Sequence, residues 1–498
     1  MRLEQTVKGW KRRCWAGVTS GLLVLLLSGC GGGVGTNGTG AAPQSAGTGT
    51  VTGFGSVIID GVAYDDSQAQ VISDAEAGEE LSEVKLGQRV SVEYEAAEGA
   101  GKPLARRISV QSTLRGMVEA IDGRTLTVLG QTVQVNDGAV EGVEGPVTVL
   151  EGFETLSALA GQAVEIHAME VMDGASRVWQ ATRIEAVGEL SDRSEVRVTG
   201  RVTALNAADA LTRRFMIGPL QVSIAPSAAA SAGLADGLLV RVLARWSDYD
   251  SAASTLSARR VLAVAVPAKS IDPEATLTLT GLVSNLDEAS KTFELDGQKV
   301  GYAGAVFTPS TATLRNRRYV VVTASSTGAG MVQAQSVQLP QNLATTELHG
   351  TVMGLDAVAG RFQVRGTWVR FGDATTFEDC SVGEWGSGAY VEVYGLVEAS
   401  GTVLARKVYC EDEEIGQVVE RFGEVLSVQA AQRQFVLRNT DRSGRIEDLT
   451  VQWSGSTYFR SPLSARSGPA VGDRLEVEGR FSGAGSALVL QASKVKPD

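Results

Sequence analysis

One short string recurs six times along this chain: alanine, two mostly polar residues, then isoleucine or valine. It reads Ala105-Arg106-Arg107-Ile108, Ala181-Thr182-Arg183-Ile184 and Ala258-Arg259-Arg260-Val261. It returns as Ala334-Gln335-Ser336-Val337, Ala405-Arg406-Lys407-Val408 and Ala492-Ser493-Lys494-Val495. The alanines stand 76, 77, 76, 71 and 87 residues apart. One such tetrapeptide says nothing, but six in step define tandem units. Two glycine anchors keep the same phase. Gly87, Gly161, Gly237, Gly388 and Gly472 each precede an alternating strand, 17 to 21 residues before the alanine. The fourth copy has Asn316-Arg317-Arg318 there instead. Gly53, Gly116, Gly200, Gly281, Gly350 and Gly423 each sit in an apolar run that opens a unit.

Within the units the hydrophobic period is two. In Arg474 to Phe481, the residues Leu475, Val477, Gly479 and Phe481 share one face and charges fill the other. Gln88 to Tyr94, Val240 to Trp246 and Gly388 to Tyr394 alternate in the same way, as half-buried antiparallel strands do. Asp60-Gly61, Asp122-Gly123, Asp296-Gly297 and Arg365-Gly366 are hairpin signals between them. No amphipathic helix of a dozen residues follows position 30; Ser157 to Ala160 and Ala225 to Ala235 each have room for a helical turn. A sheet this small must bury a face and remove its edges, and closure does both. The expected fold is therefore all-β: six small OB-like barrels of five or six strands, over 49–112, 113–190, 191–270, 271–343, 344–415 and 416–498. An SH3-like barrel or a two-sheet sandwich is the alternative. The opening glycine is expected to permit a bend or bulge, and the alanine to sit where strands crowd.

The first 29 residues read as an address. Lys8, Lys11, Arg12 and Arg13 precede an apolar stretch from Trp15 to Leu27, too short to span a bilayer as a helix. Leu27-Ser28-Gly29-Cys30 resembles the bacterial lipobox, which implies lipidation of Cys30 and a membrane anchor through the N-terminal lipid. An ordinary secretory leader cleaved elsewhere is the other reading. Gly31 after the cysteine, with no Asp, implies sorting to the outer membrane of a Gram-negative envelope. Residues 30–48, almost all Gly, Ala, Thr and Ser, read as a flexible tether. Cys14 leaves with the leader, so Cys380 and Cys410 remain, and an oxidising periplasm makes a disulfide between them the expectation; two buried free thiols are the alternative.

Composition narrows the function. The formal net charge is −12, and five basic residues and one acid leave with the leader, giving −16. Such a chain is a poor partner for nucleic acid, whose phosphates demand clustered cations. With only His167 and His349, no serine elbow and two cysteines thirty positions apart, no catalytic, metal or cofactor site is expected. His167 is expected on the polar face of a strand, and His349 in a structural place. Gly47 to Gly53 imitates a dinucleotide fingerprint but has one residue too many and precedes a strand. Asp65-Asp66 and Glu411-Asp412-Glu413-Glu414 read as solvated acids rather than calcium loops. Trp246, Trp368, Trp385 and Trp453 occur singly, with Trp246 on the inward phase of its strand.

The opening Gly49-Thr50-Val51-Thr52-Gly53-Phe54-Gly55-Ser56-Val57-Ile58-Ile59-Asp60-Gly61-Val62 resembles the start of a bacterial lipoprotein group. In that group a lipobox and a Gly-rich tether precede tandem domain-of-unknown-function 5666 (DUF5666) modules. The resemblance covers roughly residues 49–498, most specifically in the first copy. It implies an envelope-anchored protein of OB-like β modules with no assigned activity. The functional expectation is a non-enzymatic scaffold or binding stalk contacting an envelope glycan or protein. The alternatives are a carbohydrate-active or other hydrolase built on one divergent module, with the fifth copy first to inspect, and a passive spacer.

Overall fold

Short β-branched runs broken by glycine turns favour strands at almost every step. The computed structural model describes residues 45–497, apart from 98–100, 139–142, 154, 174–175, 207–212, 231–232, 265–274, 328–329, 342, 381–385, 387, 412–415, 441–445 and 484–487. The leader, Cys30 and most of the expected tether lie outside the described residues. Strand accounts for 62% of the structure. The helical turns are short 3-10 segments such as Leu156–Leu159 and Trp246–Asp248. No helix among the described residues is long and apolar enough to cross a membrane. The turn expected near Ser157 forms, whereas Ala225 to Ala235 does not turn helically at its start: Leu220–Ala230 is a strand held parallel to Thr255–Ala263.

The second unit shows the local course. Leu114–Asp122, Thr125–Val128 and Gln131–Val135 form an antiparallel meander. Gln131–Val135 and then Val149–Glu151 run parallel to Ser176–Ala186. That strand pairs antiparallel with Ala163–Asp173, which returns to Leu114–Asp122. The sixth unit repeats the course over Val418–Gln429, Gln434–Thr440, Ile446–Gln452, Tyr458–Phe459, Arg474–Ser482 and Val489–Pro497.

The sequence anchors are local devices with identifiable physics. Gly87, Gly161, Gly237, Gly388 and Gly472 all have φ between 69° and 92°, which L side chains resist. In the fourth unit Arg317 takes the same left-handed place, at φ 66°. All six donate their N–H to the opening strand, to Val51, Val118, Val202, Val283, Val352 and Val425. This register corrects one anchor. Gly116, Gly200, Gly281, Gly350 and Gly423 stand opposite Val164, Val240, Val320, Val391 and Leu475, and in the first unit the residue opposite Val90 is Gly49, not Gly53. A Cβ at Gly423 would lie 2.0 Å from the Arg438 carbonyl oxygen, so the close approach needs glycine. The recurring alanines Ala105, Ala181, Ala334, Ala405 and Ala492 each sit at a register shift, opposite Tyr94, Ala168, Ala324, Gly395 and Gly479.

A string of separate OB-like barrels is not what these units build. Among the described residues the strands join into sheets of 20, 13 and 6 strands, and the backbone winds through about 11 turns of one continuous, solenoidal β structure. Arg115 and Leu114 pair with Arg197 and Val198, fusing the second and third units. Ser45–Phe54 lies antiparallel to Arg89–Glu95 and parallel to both Thr276–Leu282 and Thr345–Asp356, so it joins the first, fourth and fifth units. Gly53 belongs to this junction, since a Cβ there would fall 2.3 Å from the Glu347 carbonyl oxygen. Ser45 to Thr48, expected within the tether, are therefore strand, with Ala46 fully buried. The cores merge as well. One apolar cluster runs from Leu114 through Val261, and another mixes Val51 and Val92 with Leu348 and Val393. The physical reason is that an alternating pattern fixes which face of a strand is buried, but not which strand occupies its free edge.

Three of the hairpin turns pack against other units at these junctions, although Gly61 and Gly366 themselves are exposed. Asp60-Gly61, Asp296-Gly297 and Arg365-Gly366 all have positive φ at both residues. Asp296 Oδ2 meets the buried Arg89 guanidinium of the first unit at 2.6 Å, while Asp60 accepts from Tyr319 and Thr280 of the fourth. Burial raises the carboxyls of Asp60 and Asp296 against the pull of Arg89.

Candidate ligand-binding cavity

The hairpin Arg361–Val364 to Thr367–Arg370 of the fifth unit follows the period-two rule closely. Phe362, Val364 and Val369 enter the core, leaving Arg361, Gln363, Arg365, Trp368 and Arg370 on the opposite face. That face lines a cavity of about 670 Å³ where four units meet. The first unit contributes Glu83 to Leu86, and the second contributes Val149 to Phe153 and Arg183. Ser400 to Thr402 of the fifth and Arg460, Lys494 and Lys496 of the sixth complete it. The second and fifth units touch through backbone here, Leu150 N–H donating to the Ala399 carbonyl at 3.2 Å.

Eight lining residues are cationic (Lys85, Arg183, Arg361, Arg365, Arg370, Arg460, Lys494 and Lys496) and two, Glu83 and Glu151, are acidic. The floor cations are buried or half-buried, and each is paired with an acid. Lys85 and Arg183 share Glu185 and Glu151, and Arg183 also donates to the Leu86 carbonyl at 2.9 Å. Arg365 reaches Glu478 at 2.9 Å, Lys494 reaches Glu83 at 3.1 Å, and Lys496 pairs with Glu476. Burial works against the charge on Glu83, but Lys494, Lys85 and Arg460 hold its carboxyl far below the ordinary range. Glu185, Glu476 and Glu478 lie outside the lining while Glu83 and Glu151 belong to it, so the eight lining cations face only two lining carboxylates. Arg365 Nε and Nη1 are buried without a hydrogen-bond partner, and its guanidinium lies 4.7 Å from the Phe54 ring.

The rim is exposed. Arg361 faces the Trp368 ring at 5.0 Å, with its nearest carboxylate, Asp356, 3.9 Å away. Trp368 is 38% exposed, and Arg370 is held by Glu398 at 2.7 Å. An apolar ring beside outward guanidinium groups suits a ring-bearing anion.

The structure distributes the sequence candidates widely. Cys380 and Cys410 are joined by a disulfide, with Cα atoms 5.0 Å apart. His167, expected on a solvated face, is 2% exposed between the first and second units, where Nδ1 accepts the Arg89 N–H at 3.2 Å; the first unit covers the face that a lone strand would leave open. His349 lies between Glu347 and Glu392, none of which lines the cavity. Trp453 is core, its indole N–H donating to the Ala465 carbonyl at 3.2 Å, and Trp246 packs half-buried against the core shared by the second and third units. Asp66 is bound by Arg480 at 2.6 Å. Trp385 and Asp412 to Glu414 lie outside the described residues. The cavity was missed because its cations come from four units, although the basic face of residues 361–370 was legible as alternation.

Fold and cavity together define a class: an all-β tandem-repeat protein with a basic chamber where its units meet. Three segments, residues 115–185, 349–409 and 423–496, match the family model described as Domain of unknown function (DUF5666). They fall in the second, fifth and sixth units. No curated protein matches the chain. One matching solved structure, titled "drosophila Unr CSD456", is 14% identical, covering 44% of this chain and 96% of that one at a TM-score of 0.13.

Proposed function

We propose that this chain is a non-enzymatic binding scaffold of the cell envelope, tethered by lipid on Cys30, whose inter-unit cavity takes an acidic glycan. The observation that carries the reading is the cavity lining, eight cations against two acids in a chain of net charge −12. The Arg361–Trp368 pair supplies a sugar-stacking face, and Arg370 beside it a partner for carboxylate or phosphate substituents. The test is titration of the protein with acidic and neutral oligosaccharides of equal length, in wild type and in Arg361→Glu and Trp368→Ala. Saturable binding of the acidic series is expected, weakened about tenfold or more by either change and by added salt. Equal affinity for neutral sugars, or binding untouched by both substitutions, would overturn the assignment. Capture of an envelope protein in place of a glycan would do so too.

A further inference from the structure

The fifth unit carries a second constellation, away from the cavity. Glu347 and His349 lie two apart on Thr345–Asp356 and so share a face. Across the ladder Glu392 stands opposite His349, and Tyr394 opposite Glu347. His349 Nε2 is 2.7 Å from Glu347 Oε1 and 3.3 Å from Glu392 Oε1. One donor atom from each of the three lies within 4.8 Å of the others. The Tyr394 hydroxyl donates to the same Glu392 oxygen. The first unit's backbone packs close against the imidazole: a Cβ at Gly55 would sit 2.6 Å from His349 Cδ2.

We propose that Glu347, His349 and Glu392 form a binding site for a zinc-class divalent cation, with Nε2 and one oxygen from each glutamate as ligands and the remaining positions open to solvent. Charge is the first reason. Among the described residues no Lys or Arg pairs with either glutamate, and a divalent ion beside a neutral imidazole balances both half-buried carboxylates. Geometry is the second. Ligands bound at about 2.0–2.1 Å in a tetrahedral site stand about 3.3 Å apart; Nε2 and Glu392 Oε1 already have that spacing, and Glu347 Oε1 would move back from its 2.7 Å hydrogen-bond distance. The third is the surrounding shell. Tyr394 orients Glu392 and Gly55 orients the ring, as supporting groups do in metal sites. The mixed nitrogen and carboxylate set suits zinc and its neighbours better than magnesium or calcium. The fold does not impose this trio. At the equivalent register the third unit has Arg197 and Thr199 with Arg241, and the fourth has Thr278 and Thr280 with Val321.

The test is equilibrium dialysis of the full chain, free of affinity-tag histidines, against Zn²⁺ at neutral pH. One bound equivalent is expected, with affinity reduced about tenfold or more by His349→Ala and by Glu392→Gln, and about tenfold by Tyr394→Phe. Glu378→Gln, on the same unit but outside the trio, is expected to leave it unchanged. Cu²⁺ bound to the unaltered chain gives a readout that needs no variant: nitrogen hyperfine coupling from one imidazole in its electron paramagnetic resonance spectrum. Less than one equivalent of Zn²⁺ at saturation, affinity undiminished in His349→Ala, or a Cu²⁺ spectrum without nitrogen coupling would overturn the site.

Discussion

Glu420→Gln tests how the fifth and sixth units are joined. Glu420 is 1% exposed on Val418–Gln429, directly opposite Glu478 and near Glu476 on the next strand. Its Oε2 accepts the Arg365 N–H at 3.0 Å, and its Oε1 has no partner. Burial, then the Glu476 and Glu478 carboxylates, push its carboxyl up to about 8, against Lys494 and Lys496. Glu478 moves the other way: burial opposes its charge, but Arg365 and Lys494 hold it low. The folded protein therefore keeps a proton on Glu420 that the unfolded chain gives up near 4.5. Between those two values the folded state binds more protons, so stability falls as pH rises. Above about 8 the cost is complete, on the order of 3–5 kcal/mol; below 4.5 both states are protonated and it vanishes. The glutamine keeps the acceptor for Arg365 and removes the ionisation. Paired denaturation curves should nearly coincide at about pH 4, separate steadily up to about pH 8 and then hold that difference, the variant being the more stable. A stability difference that does not grow with pH, or a variant weaker in alkali, would refute the reasoning.

Two more perturbations probe the unit architecture. Gly472 has φ 90° and open space around its Cβ position, so Gly472→Ala should cost about 1–2 kcal/mol of purely conformational strain, measured by chemical denaturation. Replacing Cys380 and Cys410 with serine opens a loop of sequence separation 30 and should cost roughly 3–4 kcal/mol. Reducing agent should shift the unaltered chain equally and leave the double variant where it was.

Much of the local structure was written in the sequence. Period-two alternation placed the strands, because a half-buried strand must show it whatever lies beside it. The Ala-x-x-Ile/Val string marked where strands crowd, and these positions prove to hold the bulges that the opening glycines were expected to carry, while the second glycine falls at a left-handed turn that Arg317 adopts where glycine is missing. The face of Arg361, Gln363, Arg365, Trp368 and Arg370 was equally visible as alternation around Phe362, Val364 and Val369. What alternation did not reveal is which copy lies against which.

That choice belongs to tertiary structure. Gly49 and Gly53 read alike in one dimension, yet Gly49 holds the position equivalent to the other opening glycines while Gly53 admits the backbone of another unit. His167 sits on the outward phase of its strand, and only the first unit covering that phase buries it. The cavity needs cations from residues as far apart as Lys85 and Lys496, and the proposed metal trio needs two strands in one register, braced by Gly55 from a distant unit. Sequence by itself determined local conformation and periodicity, because these depend on sterics and on burial of one face. Tertiary structure alone decided the edge pairing, and with it every site, because exposed strand edges are chemically alike and only the packed whole selects their partners.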